Sequence, residues 1–162
     1  CIQKILEKNS ILINKVDYIA TVIGPGRFTG IRVGLSLSQG LAYSLGIPIV
    51  PINAIEVLNN QVKMDGKYTI AIHSHKNFII YQHFNDKNKN HMKFGKVEDI
   101  KDKTIFGIGL EKFQTELDYN PLKLSSFEVG EYAIRRYTEL VEKNISLIKP
   151  IYLNEYKVDN II

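Results

Sequence analysis

A glycine-rich segment constrains the fold of this chain more than any other feature. The segment Gly-Pro-Gly-Arg-Phe-Thr-Gly, residues 24–30, follows a β-branched apolar run at residues 18–23. A helical pattern at residues 29–45 comes next, and Gly46 is placed to cap its C-terminus. A second apolar run occupies residues 47–52. This order predicts two parallel strands joined by a right-handed helical crossover.

The glycine segment allows two interpretations. Glycines after a strand permit close backbone approach, and the free N–H groups of the following helix can bind an anion. The segment lacks the Gly-Lys-Ser/Thr ending of a P-loop, and its G-x-G-x-x-x-G spacing differs from the dinucleotide pattern. A tight strand-to-helix turn is therefore favoured, with generic phosphate binding as the alternative. The predicted loop consists of Gly24, Pro25, Gly26, Arg27, Phe28, Thr29 and Gly30.

Small residues recur every fourth position along the helix that follows. These residues are Gly30, Gly34, Ser38, Ala42 and Gly46. A glycine inside a helix costs about 1 kcal/mol relative to alanine, so we expect a compensating gain from close contact with another backbone. The strip predicts a partner-binding face, and the alternative is complete burial of the helix inside a larger domain.

The rest of the chain predicts a second sheet with short helices. The pattern predicts helices at residues 1–8, 53–62, 110–117 and 130–143. It predicts strands at residues 68–73, 78–84, 104–108 and 151–153, the first two forming a hairpin. A polar connection at residues 64–67 predicts a boundary between a domain at residues 1–63 and another at residues 64–162.

The composition is typical of a globular domain. The chain has 162 residues, of which 44% are hydrophobic and 23% charged, and no apolar run is long enough to span a bilayer. We expect no membrane partner and a cytoplasmic location. Cys1 is the sole cysteine, which excludes an internal disulfide. The chain has 21 basic and 17 acidic residues. This excess of positive charge is too small to indicate nucleic-acid binding.

No residue pattern indicates catalysis. His73, His75 and His83 could share a zinc ion, but no cysteine or carboxylate pattern accompanies them, so polar residues around a hairpin are favoured. The serines lack a G-x-S-x-G context, and the acidic residues show no pairing suited to general acid–base work. We therefore predict no catalytic residues and no metal ligands.

Residues 17–48 strongly resemble the TsaB/YeaZ family. That family has a GPGSFTG-type loop, an IRVG-type helix start, then G-L-A-Y and I-P, which match residues 24–30, 31–34, 40–43 and 47–48. Arg27 stands where the family loop usually has serine. Residues 150–153, Pro-Ile-Tyr-Leu, resemble the family's P-x-Y-L-R close, with Asn154 in place of the arginine. Near the hairpin, His73-Ser74-His75 replaces the Asp-Ala-Arg that the family often has.

The resemblance implies an α/β protein of ASKHA type, built as two RNase H-like lobes. The chain opens on Cys1 with a helical pattern, so we expect the first lobe to lack its opening strands and the chain to be N-terminally incomplete. The implied function is that of a non-catalytic scaffold subunit supporting TsaD in threonylcarbamoyl transfer to tRNA adenosine. The alternative is an enzyme, either a glycoprotease-like metallopeptidase or a nucleotide hydrolase.

The resemblance also implies the partners and their contact residues. The implied partners are TsaD, the ATPase TsaE and a second copy of the chain, with tRNA reached only indirectly. We expect no cofactor on the chain alone and ATP only in the complex. In this family the helices before and after the first glycine-loop strand supply the dimer face. The predicted partner-binding residues are Ile2, Ile5, Leu6, Gly30, Gly34, Ser38, Leu41, Ala42 and Leu45.

Overall fold

The computed structural model describes residues 2–85 and 88–153, without the side chains of Asn88 and Lys89. The predicted strand–loop–helix–strand unit is present at its start. Strand β1, Ile19–Gly24, pairs in parallel with β2, Ile49–Asn53, and helix α2, Phe28–Leu45, connects them. Helix α1, Ile2–Lys8, precedes this unit. The parallel crossover predicted from the sequence is confirmed.

Helix α2 ends where its glycine cap was predicted. Gly46 has a φ of +67°, and its N–H bonds to the carbonyl groups of Ala42 and Tyr43. A left-handed residue at this position satisfies carbonyl groups that the helix end would otherwise leave without partners. The cap turns the chain directly into β2.

A second, mixed sheet forms the larger layer of the fold. Its strands are β3 (Tyr68–His75), β4 (Phe78–Asn85), β5 (Asn88–Lys89), β6 (Lys93–Lys96), β7 (Ile105–Ile108) and β8 (Asn120–Pro121). The order is β5-β4-β3-β7-β8, and β6 also pairs with β4. The β3–β4 pair is the predicted hairpin, whereas β7 runs parallel to β3 and β8 runs parallel to β7.

A short helix packs between the two sheets. Helix α3, Ala54–Asn59, begins at Asn53, whose side chain accepts a hydrogen bond from the Ile55 N–H at 2.9 Å. Ile55 and Leu58 are fully buried and share a core cluster with Ile70 of β3. Burial of such side chains contributes about 1.5–3 kcal/mol each relative to exposure, so α3 holds the sheets together.

The C-terminal helices return to the first sheet. Helix α4, Ser126–Arg135, begins with a capping box formed by Ser125 and Glu128 and packs Tyr132 against β2. Helix α5, Tyr137–Leu140, follows directly. The predicted boundary after residue 63 separates the two sheets along the sequence, but α4 and α5 belong spatially to the first.

The structure corrects three predicted elements. The helix predicted at residues 110–117 is only a 3-10 turn, Glu111–Phe113, because the chain must return at once to pair β8 with β7. The helix predicted at residues 130–143 starts earlier and breaks at Arg136. It breaks because an antiparallel backbone bridge between Ile49 and Glu142 holds the segment after α5 against β2.

The third correction concerns residues 151–153, which form no regular strand. A single hydrogen bond, from the Ile151 N–H to the Ile23 carbonyl at 2.8 Å, attaches this segment to β1. Within the described part of the chain, no helix has the length and apolar character needed to cross a membrane.

Candidate functional site

The glycine loop lines a cleft between the two sheets. This cleft has a volume of about 820 Å³, and the β3–β4 turn lies on its opposite side. The C-terminal segment, through Ile151, Tyr152 and Leu153, closes a third side. The loop predicted from sequence therefore faces residues that are distant from it along the chain.

Backbone geometry at Gly24 explains part of the loop sequence. Gly24 has a φ of +124°, and a Cβ there would lie 2.9 Å from the Ile151 carbonyl oxygen. Only glycine fits this conformation and this contact without strain. Gly30 differs, because a Cβ at that position would meet no atom within 4 Å. The glycines of the loop therefore serve different purposes.

An arginine joins the start of α2 to the C-terminal segment at the rim of the cleft. The Arg32 guanidinium carbon lies 3.8 Å from the centre of the Phe28 ring, a cation–π contact. The Arg32 Nε donates a hydrogen bond to the Tyr152 hydroxyl at 2.6 Å. The Phe28 and Tyr152 rings lie 5.2 Å apart, so the three side chains form one cluster.

The β3–β4 turn contributes a second set of basic side chains. Lys76 adopts a left-handed conformation with φ of 47°, and its carbonyl oxygen lies 3.0 Å from His73 Nε2. His75 packs near the ring of Phe78, with the ring centres 5.4 Å apart. Lys76, together with Arg27 and Arg32, gives the cleft three cationic side chains in its lining.

The three histidines considered as zinc ligands do not converge. His73 and His75 line the cleft, whereas His83 pairs in register with Thr69 at the far end of the hairpin. The Nδ1 of His83 lies 2.8 Å from Oδ2 of Asp102 instead. No group of three or more histidine, cysteine or acidic side chains suited to a metal ion occurs within the described ranges.

The predicted partner-binding residues divide between two environments. A small apolar groove of about 130 Å³ separates α1 from α2. It brings together five of the predicted residues, namely Ile2, Leu6, Ser38, Leu41 and Leu45. Ile5 is not among the residues that line this groove and is 57% exposed. Residues of both helices therefore border one groove.

The strip of small residues does not form one continuous surface. Ala42 is 1% exposed and packs with Leu35 and Ile49 in the core, so its assignment as a surface contact is corrected. Ser38 is also buried, and its hydroxyl donates to the Gly34 carbonyl at 2.9 Å. The strip winds from the solvent side onto the buried side because small residues alone do not set which face of a helix packs inward. Gly30 and Gly34 at the start of the strip and Gly46 at its end face open space, whereas Ser38 and Ala42 between them are buried.

Sequence reasoning missed two residues of the exposed face. Val33 and Leu37, four positions apart on α2, are 63% and 55% exposed. Residues at this spacing lie on one side of a helix. Their apolar character beside Gly30 and Gly34 was the available signal. In the cleft, the roles of Lys76 and Tyr152 were also missed, since nothing local links either residue to the glycine loop.

Comparison with known proteins agrees with this architecture. A two-stranded parallel unit and a mixed sheet, with a helix packed between them, define an α/β protein of ASKHA-like type. The family model described as "TsaD: tRNA N6-adenosine threonylcarbamoyltransferase" matches residues 1–104, and the chain belongs to this family. Within it, the similar TsaB proteins support the TsaB/YeaZ resemblance that the sequence motifs predicted.

The similar proteins cover different shares of the chain. The tRNA threonylcarbamoyladenosine biosynthesis protein TsaB of Haemophilus influenzae is 28% identical over 154 residues, which is 90% of this chain and 61% of that protein. The chain thus spans about three fifths of that relative. A tRNA N6-adenosine threonylcarbamoyltransferase of Clostridioides difficile is 46% identical over 55 residues, 34% of this chain and 16% of that protein.

A solved structure supports the fold. YeaZ from Pseudomonas aeruginosa superposes with a TM-score of 0.73 at 18% identity, covering 94% of this chain and 81% of that one. A superposition at this identity bears on the fold alone.

Proposed function

We propose that this chain takes part in tRNA threonylcarbamoyladenosine biosynthesis as a non-catalytic scaffold subunit that supports TsaD. Its family and the names of its relatives support the pathway. The observation that carries the scaffold role is the exposed apolar face of α1 and α2.

This surface, which we call the α1–α2 face, comprises Val33 and Leu37 of α2, the glycines Gly30 and Gly34 on the same helix, and Ile5 of α1. The three apolar side chains are each more than half exposed, which costs free energy in water and favours a partner that covers them. The two glycines leave open space next to them, so a partner helix can approach α2 closely. An apolar face of this shape suits a helical protein partner better than a small ligand.

Within this proposal TsaD is the main partner, and TsaE and a second copy of the chain are further candidates for the same assembly. Transfer chemistry takes place on TsaD, and tRNA reaches this chain only through the complex. ATP is used by the assembled complex. In this proposal the chain itself supplies neither a metal site nor a catalytic residue.

The decisive experiment introduces charge into the α1–α2 face. Leu37→Glu should leave the chain folded, because the side chain is exposed, and should abolish association with TsaD in analytical ultracentrifugation. Tyr43→Glu is the matched control: Tyr43 lies on the same helix and is 82% exposed, but it projects about 120° away from Leu37. Equal binding of TsaD by the Leu37→Glu variant and the unmodified chain would contradict the proposal. So would turnover of ATP or a glycoprotein by the isolated chain in proportion to its concentration.

A further inference from the structure

Helix α4 presents a second exposed apolar face. Phe127 and Ile134 are 69% and 68% exposed, although both side chains are large and apolar. They are seven positions apart, which places them about 20° from each other around the helix axis. Gly130 lies between them on the same side, and a Cβ there would meet no atom within 4 Å. These three residues define what we call the α4 face, which has an apolar side chain at each end and open space in the middle.

The α4 face is not the side that attaches the helix to the protein. Tyr132 and Ala133 are buried and share a core cluster with Val50 of β2. Tyr132 lies about 140° around the helix axis from Phe127, so the core uses the other side of α4. Neighbouring exposed apolar side chains on one surface are typical of a protein interface.

The α4 face is also separate from the α1–α2 face. Side chains of successive residues in a strand point to opposite sides of the sheet. Ile49 of β2 shares a core cluster with Leu35 of α2, whereas the next residue, Val50, shares one with Tyr132 of α4. Helices α2 and α4 therefore cover opposite sides of the first sheet, and each exposed face can bind its own partner.

The shape of the α4 face is complementary to itself. In an antiparallel pair of α4 helices related by a two-fold axis, Phe127 of each copy packs against Ile134 of the other. Gly130 then lies near the axis, where the absence of a side chain lets the two helices approach closely. Because the same residues serve both halves of the contact, this arrangement indicates a second copy as the occupant.

The charges along α4 favour the same antiparallel arrangement. Glu128 and Glu131 lie in the first half of the helix, and Arg135 and Arg136 lie at its end. An antiparallel pair places the acidic half of each helix beside the basic end of the other, and the two helix dipoles oppose each other. A parallel pair would place like charges side by side. The charge pattern therefore adds to the argument from shape.

We infer that the α4 face binds the α4 face of a second copy of this chain, forming an antiparallel two-fold dimer. Helix α4 has ten residues and is about 15 Å long, so the contact is smaller than the roughly 800 Å² per partner of a standard interface. We expect a dissociation constant between about 10 µM and 1 mM. This differs from the sequence-based prediction, which placed a second copy on α1 and α2, and it does not depend on the proposed scaffold role.

Sedimentation equilibrium of the chain alone, at concentrations up to about 1 mM, tests the inference. The unmodified chain should show a reversible equilibrium between monomer and dimer. Ile134→Glu should raise the dissociation constant at least about tenfold, because it places a charge against the Phe127 ring of the other copy. Leu147→Glu is the matched control: Leu147 is 63% exposed but lies outside α4, so this variant should dimerise like the unmodified chain.

A second variant tests the close approach of the two helices. Gly130→Leu should leave the monomer folded, because a Cβ at this position meets no atom of the chain within 4 Å. It should raise the dissociation constant about tenfold, because the leucine fills the space that the second helix occupies. Thermal melting at low protein concentration establishes that each variant is folded.

Three outcomes would overturn the inference. The first is a chain that stays monomeric up to about 1 mM. The second is dimerisation that Ile134→Glu leaves unchanged and Leu37→Glu abolishes, which would place the second copy on the α1–α2 face. The third is equal weakening by Ile134→Glu and Leu147→Glu, which would indicate non-specific apolar contact. Unchanged association of Ile134→Glu with TsaD would show that the dimer contact and the proposed scaffold role use different surfaces.

Discussion

The Nδ1 atom of His83 lies 2.8 Å from Oδ2 of Asp102, which ties strand β4 to the segment that leads into β7. The hydroxyl of Thr69, on β3, donates to the same carboxylate oxygen at 2.5 Å. Thr69 is fully buried, so its hydroxyl depends on these two neighbours for hydrogen bonding. Burial alone would raise the pKa of Asp102, but hydrogen bonds from Thr69 and His83 outweigh it and hold that pKa below its usual value.

The lowered pKa of Asp102 predicts a specific dependence of stability on pH. A carboxyl group whose pKa is depressed by folding stabilises the folded state above its unfolded pKa of about 3.9, and this stabilisation is lost as the pH falls through the lower folded value. Asp102→Asn should therefore lower the free energy of unfolding by about 1 kcal/mol at neutral pH, a modest figure because the group is partly exposed. The difference from the unmodified chain should shrink as the pH drops below about 4.

Urea unfolding between neutral pH and pH 3 measures this effect. Asp118→Asn is the matched control, since Asp118 is an exposed aspartate outside the cluster. It should change stability little at any pH. If the loss of unfolding free energy in Asp102→Asn stayed constant down to pH 3, the charge of the carboxylate would be irrelevant to the cluster.

A second prediction concerns Gly34, where a substitution should affect folding stability and association with a partner in opposite directions. Replacing Gly34 with leucine should raise helix stability by up to about 1 kcal/mol, because a Cβ at this position would meet no atom within 4 Å. The same change should weaken binding of TsaD, because the leucine occupies the space that a partner helix needs. Thermal melting and sedimentation on one variant measure both effects.

Gly40→Leu is the control for that experiment. Gly40 lies in the same helix, also in open space, about 120° around the axis from Gly34. The Gly40→Leu variant should gain the same helix stability and should still bind TsaD fully. A fall in the melting temperature of Gly34→Leu would show that the small residues pack on the chain's own fold.

The sequence predicted the β1–α2–β2 unit because its signals are local. The apolar runs, the glycines of the loop and the Gly46 cap all lie within about 35 residues of one another. The hairpin of β3 and β4 was predictable for the same reason. Strand β6 has only Phe94 as a large apolar residue, and it forms because β4 offers an edge to pair with. Its existence therefore depends on a tertiary contact that no local pattern shows.

The candidate site was predictable only in part, for a similar reason. The glycine loop is visible in the sequence, whereas the opposite wall of the cleft is set by how the second sheet packs against the first. Lys76 and Tyr152 are 46 or more residues beyond the loop, and each reaches it through folding alone. The burial of Ala42 and the exposure of Val33 likewise depend on which side of α2 meets the sheet.

A third prediction concerns Gly24, at the start of the loop. Gly24→Ala should reduce the free energy of unfolding by about 1–3 kcal/mol, because the φ of +124° is strained for alanine and the new Cβ would meet the Ile151 carbonyl oxygen. Gly30→Ala, in open space in the first turn of α2, should be neutral or slightly stabilising. Chemical denaturation measures both, and equal stability of the two variants would show that the C-terminal segment does not hold the loop.

The last prediction tests the packing of the second sheet at Gly107 of β7. A Cβ there would collide with the Ala71 carbonyl oxygen on β3 and with the Leu110 side chain. Since Ala71 and Leu110 are fully buried in one core cluster, neither can move away without opening it. Gly107→Ala should therefore destabilise the chain by about 1–3 kcal/mol, as overpacking of a filled core does. Gly130→Ala, where the added methyl group enters open space in α4, should instead stabilise it by up to about 1 kcal/mol. Urea midpoints that shift in opposite directions for Gly107→Ala and Gly130→Ala, with the slope of unfolding free energy against urea unchanged, would support this packing. A stabilising effect of Gly107→Ala would contradict the close approach of β7 to β3.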